Sequence, residues 1–286
     1  MNKNGIEVKM IADSISLATG DEKPVRIRTY QLKYHRYIHG EVMTHRVFSR
    51  NASSSRAIPV ARMRSDVWNN PAMPIHWGRN QKGMQAKGEL TGIKLAVAKS
   101  VWKTAGKAAC VFSWMFEKVG LHKQIANRIL EPWQFIHVVL TATDFDNWDE
   151  LRDHEDAQPE IQSLAKKMKF ESRRSIPVVR YPGNGVYSWH LPYVSVHERE
   201  NYDIETLTKI STARCCRVSY LKHDGKDPLV SEDLALYDRL VGMRPLHASP
   251  LEHLAKVADS PFARSGNFRG WLQHREAVEA SAWAMS

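Results

Sequence analysis

A chain of 286 residues has room for one large domain or two smaller ones and for a substantial core. Hydrophobic residues at 43% and charged residues at 25% are the balance of a globular protein, and no apolar run approaches the roughly 20 residues of a membrane span. A net charge of +10, spread along the chain rather than held in a tail, favours an anionic ligand: a phosphorylated molecule or a polyanion such as DNA. The opening residues alternate Lys, Asn and Glu with apolar side chains, unlike a signal peptide, so a cytoplasmic location is expected.

In chain order, alternation around Ile27, Tyr30, Leu32 and Tyr34 predicts a strand within 26–42, followed by a short helix or turn. Residues 69–88, rich in Pro, Gly, Asn and Gln, read as a long ordered loop. A helix follows from Thr91 to Val119, with Thr91 as its cap and Gly120 as its stop. Ile93, Val97, Val101, Trp102, Ala105, Cys110, Phe112, Met115 and Phe116 form its broad apolar face. The stretch HKQIANRIL starts a second helix, and FIHVVLTAT reads as a buried strand or the start of a core helix. Residues 149–170 are amphipathic, with Leu151, Ile161, Leu164 and Met168 inward; 171–200 read as loops and short strands; a further helix spans Ser231–Val241. The order mixes α and β without the alternation of a doubly wound sheet, and no GxGxxG or GxxxxGK[ST] phosphate loop occurs.

Three polar clusters could carry chemistry. In THRVFSRNASSSRAIPV (44–60), Arg46, Arg50 and Arg56 could fork onto phosphate or a pyrimidine carbonyl, and Ser53, Ser54 and Ser55 offer hydroxyls and N–H groups for an oxyanion. His45 could stack or hydrogen-bond, and Asn51 could cap a helix or read a heterocycle edge. In 141–161, Asn147, Arg152 and Gln158 would share a helical surface, although Asp149 or Glu150 paired with Arg152 explains the charges as well. In 247–253, a helix start at Ser249 with Pro250 first and Glu252 third leaves His247 and His253 unexplained. Cys110, Cys215 and Cys216 form no metal spacing and read as small buried side chains, and His154 with Asp156 matches no common ligand set.

Together these clusters resemble the flavin-dependent thymidylate synthases. Thr44, His45, Arg46, Ser49, Asn51, Ala52, Ser54, Arg56 and Ala57 follow the spacing of R-H-R-x-x-S-x-N-E-x-S-x-R-Y, with six of nine defined positions matching. FDNWDELRDHEDAQPEI is similar to the family's L-R-x-x-x-H-A-Q-x-E-I segment, with Asp156 in place of its histidine, and CRVSY with HASPLEH is similar to ARVSY with HxSPFEH. In the family the latter two segments precede the R-H-R signature; here they come last. NFRGWLQHRE then places Gln273, His274 and Arg275 where R-H-R would stand. This resembles a circular permutation with a partly duplicated junction, tolerable where the original termini lay close together.

The resemblance implies a single catalytic domain over 1–286. It has a portion at 26–170, a connecting segment at 171–209 and a portion like the family's N-terminal region at 210–276. It implies a mixed α/β (α+β) fold, a twisted mixed or antiparallel sheet flanked by long helices, assembled as a homotetramer. The implied reaction passes a one-carbon unit from methylenetetrahydrofolate to C5 of dUMP on FAD, with NADPH reducing the flavin. Carried over residue by residue, Arg152 would activate the pyrimidine, and Ser54, Ser55, Arg56 and Arg128 would hold the nucleotide. His45, Arg46, Asn51, Asn147, Ser249 and His253 would hold the flavin. Thr44, Ala52 and Ala57 stand in place of an arginine, a glutamate and a tyrosine, and Thr141 and Thr143 in place of the Asn and Arg of a flavin contact. The alternatives are a related flavoenzyme acting on a pyrimidine in DNA, which the charge motivates, and a silent nucleotide-binding relative.

Overall fold

The computed structural model describes residues 5–17, 23–218, 229–243 and 245–284; Ser219 and Tyr220 of the CRVSY segment lie outside them. The main sheet has five strands: β1 (Glu7–Ser16), β2 (Arg26–His35), β3 (Ser49–Ala52), β4 (Phe135–Ala142) and β5 (Val178–Arg180), in spatial order β3-β4-β2-β1-β5. All pairings are antiparallel except β1 with β5. The fold is therefore mixed α/β with an antiparallel-dominated sheet, in agreement with the predicted class. Between these strands run helices α1 (His39–Val42), α2 (Val60–Asn69), α3 (Gly92–Lys118), α4 (Lys123–Ala126), α5 (Asp146–Arg152) and α6 (Pro159–Arg174). After β5 come β6 (Trp189–His190), α7 (Val196–Asn201), α8 (Ile204–Cys216), α9 (Val230–Gly242), β7 (Ala255–Val257), β8 (Arg264–Ser265), β9 (Phe268–Arg269), β10 (Trp271–Gln273) and α10 (His274–Ala284).

The period of two in β2 and β4 divides the sheet's faces. Tyr30, Leu32 and Tyr34 with Ile136, Val138 and Leu140 point to one face, where Ile161, Leu164, Ala165 and Met168 of α6 and Trp148 of α5 close the largest core. Val139 points the other way, into Leu191, Leu207, Cys215 and Leu254. On this second face the small sheet β10-β7-β6 lies over a row of hydroxyls. Thr29 sits directly opposite Thr141 in the register, and Ser49 opposite Thr141 on the other side. Thr29 and Thr141 share a hydrogen bond of 2.7 Å; Thr141 meets His253 Nδ1 at 2.9 Å and Thr29 meets His190 Nε2 at 2.8 Å. His190 Nδ1 meets Ser14 at 2.9 Å, and Gln273 donates to Ser49 at 3.1 Å. A polar seam thus joins the two sheets.

The strand at 26–35, the buried strand FIHVVLTA, the helix near 231–241 and the irregular stretch before α3 stand as predicted. Four expectations need correction. The 149–170 segment is two helices, broken after Arg152 because Pro159 opens the second and Gln158 precedes it in extended backbone. HKQIANRIL gives only the single turn α4 and a 3₁₀ turn containing Pro132. Residues 249–253 form a 3₁₀ turn without a side-chain cap, not a helix start. Most consequentially, α3 forms as predicted but buries Gly106, Ala109, Cys110 and Ser113, leaving Ile93, Val97, Val101, Phe112 and Met115 exposed. A Cβ on Gly106 would meet the Trp133 indole at 3.0–3.2 Å, so close approach, not hydrophobic periodicity, selects that face.

Candidate active site

The turn between α1 and β3 is built by Arg50. Its Nη1 donates to the carbonyls of Val42, Met43 and His45 at 3.3, 3.2 and 3.0 Å, satisfying groups that the end of a helix leaves open. Arg50 therefore shapes the site rather than reaching a ligand, which corrects its reading as a phosphate fork. The folded-back turn presents His45, 6% exposed, stacked on Phe48 with ring centroids 5.6 Å apart and edge-on to Trp148 at 4.9 Å.

Arg152 ends α5 over this histidine. Its Nε donates to His45 Nε2 at 3.0 Å, Nη1 to Glu41 Oε2 at 3.3 Å and Nη2 to Thr44 Oγ1 at 3.3 Å. A guanidinium only donates, so His45 Nε2 is the acceptor and the ring's proton sits on Nδ1. Burial, reinforced by the charges of Arg152 and Arg50, lowers the His45 pKa and holds the ring neutral. The predicted pairing of Arg152 with Asp149 or Glu150 does not form; Thr44, from the first cluster, and Glu41, just before it, take it instead. Of the five guanidinium N–H donors, three are committed, and one on each Nη has no partner among the described residues. Arg46 and Asn147 are exposed on either side of this junction in sequence, with no side-chain bond among the described residues.

Past β3 the chain turns at Ser53–Ala57. Ser54 Oγ accepts from the Arg56 N–H at 3.3 Å, and Arg56 itself is exposed without a side-chain partner among the described residues. Ser55 is turned inward, 1% exposed, and donates to Glu131 Oε1 at 2.9 Å. The same oxygen receives Arg128 at 2.8 Å and Arg36 at 3.0 Å. Asn127 holds the turn from below, donating to the Ser55 and Ile58 carbonyls at 2.8 and 3.0 Å. Ser55 is thus a support, Ser54 and Arg56 face out, and Arg128 is half exposed while anchored to Glu131.

The inner wall ties the third cluster to the first. Asn51 donates to the Cys215 carbonyl at 2.8 Å and accepts from Ser249 at 3.4 Å, so both ends of its amide are committed. His253 is fully buried, bonded through Nδ1 to Thr141, with Nε2 unpartnered; burial lowers its pKa to about 3. Of the three residues expected at a flavin, Asn51 and His253 are buried and tied into the fold through Cys215 and Thr141, and Ser249 is half-buried beside Asn51. Cys215 and Cys216 are buried and free, and burial raises both thiols, Cys216 to about 11, which keeps them unreactive protonated thiols. Glu41, Glu131 and Arg36 had no signal in the sequence, because their partners lie far away in the chain or are set by the fold; Arg50 was marked, but its carbonyl partners were not.

Among the described residues no group of three His, Cys, Asp or Glu could hold a metal ion, and no helix is long and apolar enough to cross a membrane. No family model and no curated protein matches the chain. Among solved structures, a UMP/dUMP methylase, PolB, from Streptomyces cacaoi bound with 5-Br dUMP is 17% identical, with a TM-score of 0.45, over 59% of this chain and 90% of that one. The same methylase bound with 5-Br UMP is 16% identical, with a TM-score of 0.46, over 60% and 90%.

Proposed function

We propose that this chain is a pyrimidine-nucleotide-modifying enzyme of the flavin-dependent thymidylate synthase type, acting on dUMP or a close relative. The observation that carries the reading is convergence. Three sequence clusters up to 198 residues apart meet through Arg152 with His45, Asn51 with Ser249 and Thr141 with His253. In this reading Arg56 and Ser54 bind the phosphate, with Arg128 beside them. Arg152 offers its two remaining N–H donors to the pyrimidine edge, and the anion formed as N3 loses its proton is stabilised there. His45, neutral and locked by Phe48 and Trp148, fixes the guanidinium plane; Glu41 and Thr44 fix its rotation.

The fit to FAD is divided. Exposed Arg46 and Asn147 suit a flavin, and half-buried Ser249 is open to one; Asn51 and His253 have their side chains engaged inside the fold. When bound, FAD supplies the hydride equivalent that converts a transferred methylene to a methyl group, and NADPH and methylenetetrahydrofolate are the matching co-substrates. The homotetramer is proposed on the exposed apolar length of α3, which a second copy would cover. The +10 charge supports the second reading, the same chemistry on a pyrimidine in DNA.

The test is mass spectrometry of the products after incubation with FAD, NADPH, methylenetetrahydrofolate and either dUMP or a uracil-containing oligonucleotide. A mass gain of one methyl group on dUMP is the expected result. Gain on the oligonucleotide alone selects the second reading, and no gain on either sinks both.

A further inference from the structure

Away from the candidate active site, the other edge of the main sheet buries positive charge without a counter-charge among the described residues. Arg180 closes β5, paired with Ser16 of β1, and its carbonyl accepts from the Leu17 N–H at 2.9 Å. The residue is 6% exposed, and its Nε is buried without a hydrogen-bond partner. Arg199, on α7, lies within electrostatic reach; it donates to the Val186, Trp189 and Leu191 carbonyls at 3.4, 3.4 and 3.5 Å. Those long bonds to neutral acceptors pin the loop but cancel no charge.

The nearby acids are spent elsewhere. Glu198 is bound to Arg214 and to Ser195, and Asp203 caps α8 through the Thr206 N–H. Among the described residues no carboxylate pairs with Arg180 or Arg199. Burial, followed by the charge of Arg180, lowers the Arg199 pKa to about 10, as expected for cations crowded without an anion. His190, the polar neighbour at the end of the seam, is held neutral by burial and by both arginines, so it offers no negative charge.

Burying one unpaired ion costs several kcal/mol, and proteins avoid it by pairing or by binding a counter-ion. We propose that Arg180 and Arg199 form a site for a small phosphate-bearing anion, entered beside the Tyr181–Tyr187 turn. The guanidinium fork suits a tetrahedral oxyanion with several acceptors. A nucleic-acid backbone is disfavoured because Arg180 lies too deep for a surface-tracking strand to reach. Tyr187, 67% exposed at the same turn, gives the rest of such a molecule a ring to lie against. The site is separate from the proposed nucleotide site and does not depend on that reading.

The experiment is thermal unfolding of the full chain in chloride and in inorganic phosphate at matched ionic strength, in an Arg56→Ala background that removes phosphate binding at the nucleotide site. Phosphate is expected to raise the midpoint by roughly 5 °C at a hundredfold its dissociation constant. Arg180→Met should abolish that rise, while its own midpoint in chloride equals or exceeds that of the parent, since a buried unpaired charge has been removed. An equal phosphate response in parent and variant, or none in the parent, overturns the proposal. So does a large drop in the chloride midpoint for Arg180→Met, because the charge would then be balanced inside the fold. Repeating the titration with dUMP and with a single-stranded oligonucleotide separates the sources of the phosphate; a response to the oligonucleotide alone also overturns it.

Discussion

Arg152 gathers three acceptors through one rigid planar group, and a lysine cannot do the same with a point charge. Arg152→Lys is therefore expected to lower turnover at least about a hundredfold, the scale of losing an aligned charge donor, while bound flavin absorbance is kept. Turnover within a factor of a few of the parent would remove Arg152 from the chemistry. Arg56→Ala should weaken dUMP binding by about 1.5–3 kcal/mol, as for a hydrogen bond to a charged group, with kcat affected less than KM; calorimetry showing unchanged affinity would contradict the assignment. The sequence marked 44–60 as polar and purposeful, and that much was legible. It could not divide the stretch into Arg56, Ser54 and Arg46, which face outward, and Arg50, Asn51 and Ser55, which hold the fold. That division depends on carbonyls of Val42, Met43, His45 and Cys215, and a carbonyl has no signature in a sequence.

The helix α3 teaches the complementary lesson. Its existence and ends were readable from periodicity and from Gly120, yet its buried face was not. Small residues lie against Trp133 and Leu130, and the large apolar ones point outward. Periodicity reports an apolar stripe without saying whether the covering surface belongs to the same chain. Val97→Asp with Val101→Asp should leave the circular dichroism of the chain unchanged and reduce its sedimentation mass by half or more. An unchanged mass would take α3 out of the assembly. Gly106→Val is expected to destabilise the chain by roughly 1–3 kcal/mol through forced displacement of Trp133, measurable as a lower urea midpoint at constant slope.

Across the molecule, several histidines are buried neutral. His253 and His274 are lowered by burial to about 3 and about 4, and His190 is lowered well below its ordinary value. An unfolded histidine takes up a proton near pH 6.5, whereas these do not until far lower. Their contribution is thus fully present above about pH 6.5 and is lost as the pH falls toward the folded values, each adding a slope of up to about 1.4 kcal/mol per pH unit. Urea midpoints should fall steeply from pH 7 to pH 5, and His274→Gln should flatten the slope by about one proton; a flat profile would contradict the buried neutral assignment. The mixed α/β class was legible from the pattern of runs. The seam that demands these neutral rings was not, since Thr29, Thr141, His190 and His253 are separated by up to 224 residues and meet only in register.

The bond from Gln273 to Ser49 spans 224 residues, and it closes over β3 from the opposite end of the chain. During synthesis, β3 and Arg50 emerge early, but their covering sheet does not exist until β10 has left the ribosome. At about 5–20 residues per second that gap lasts roughly 10–45 s. For that interval Ser49 and the face of β3 that Gln273 covers stay open to solvent, so the nascent chain passes through a stage in which the polar seam is half built and its hydroxyls are satisfied by water.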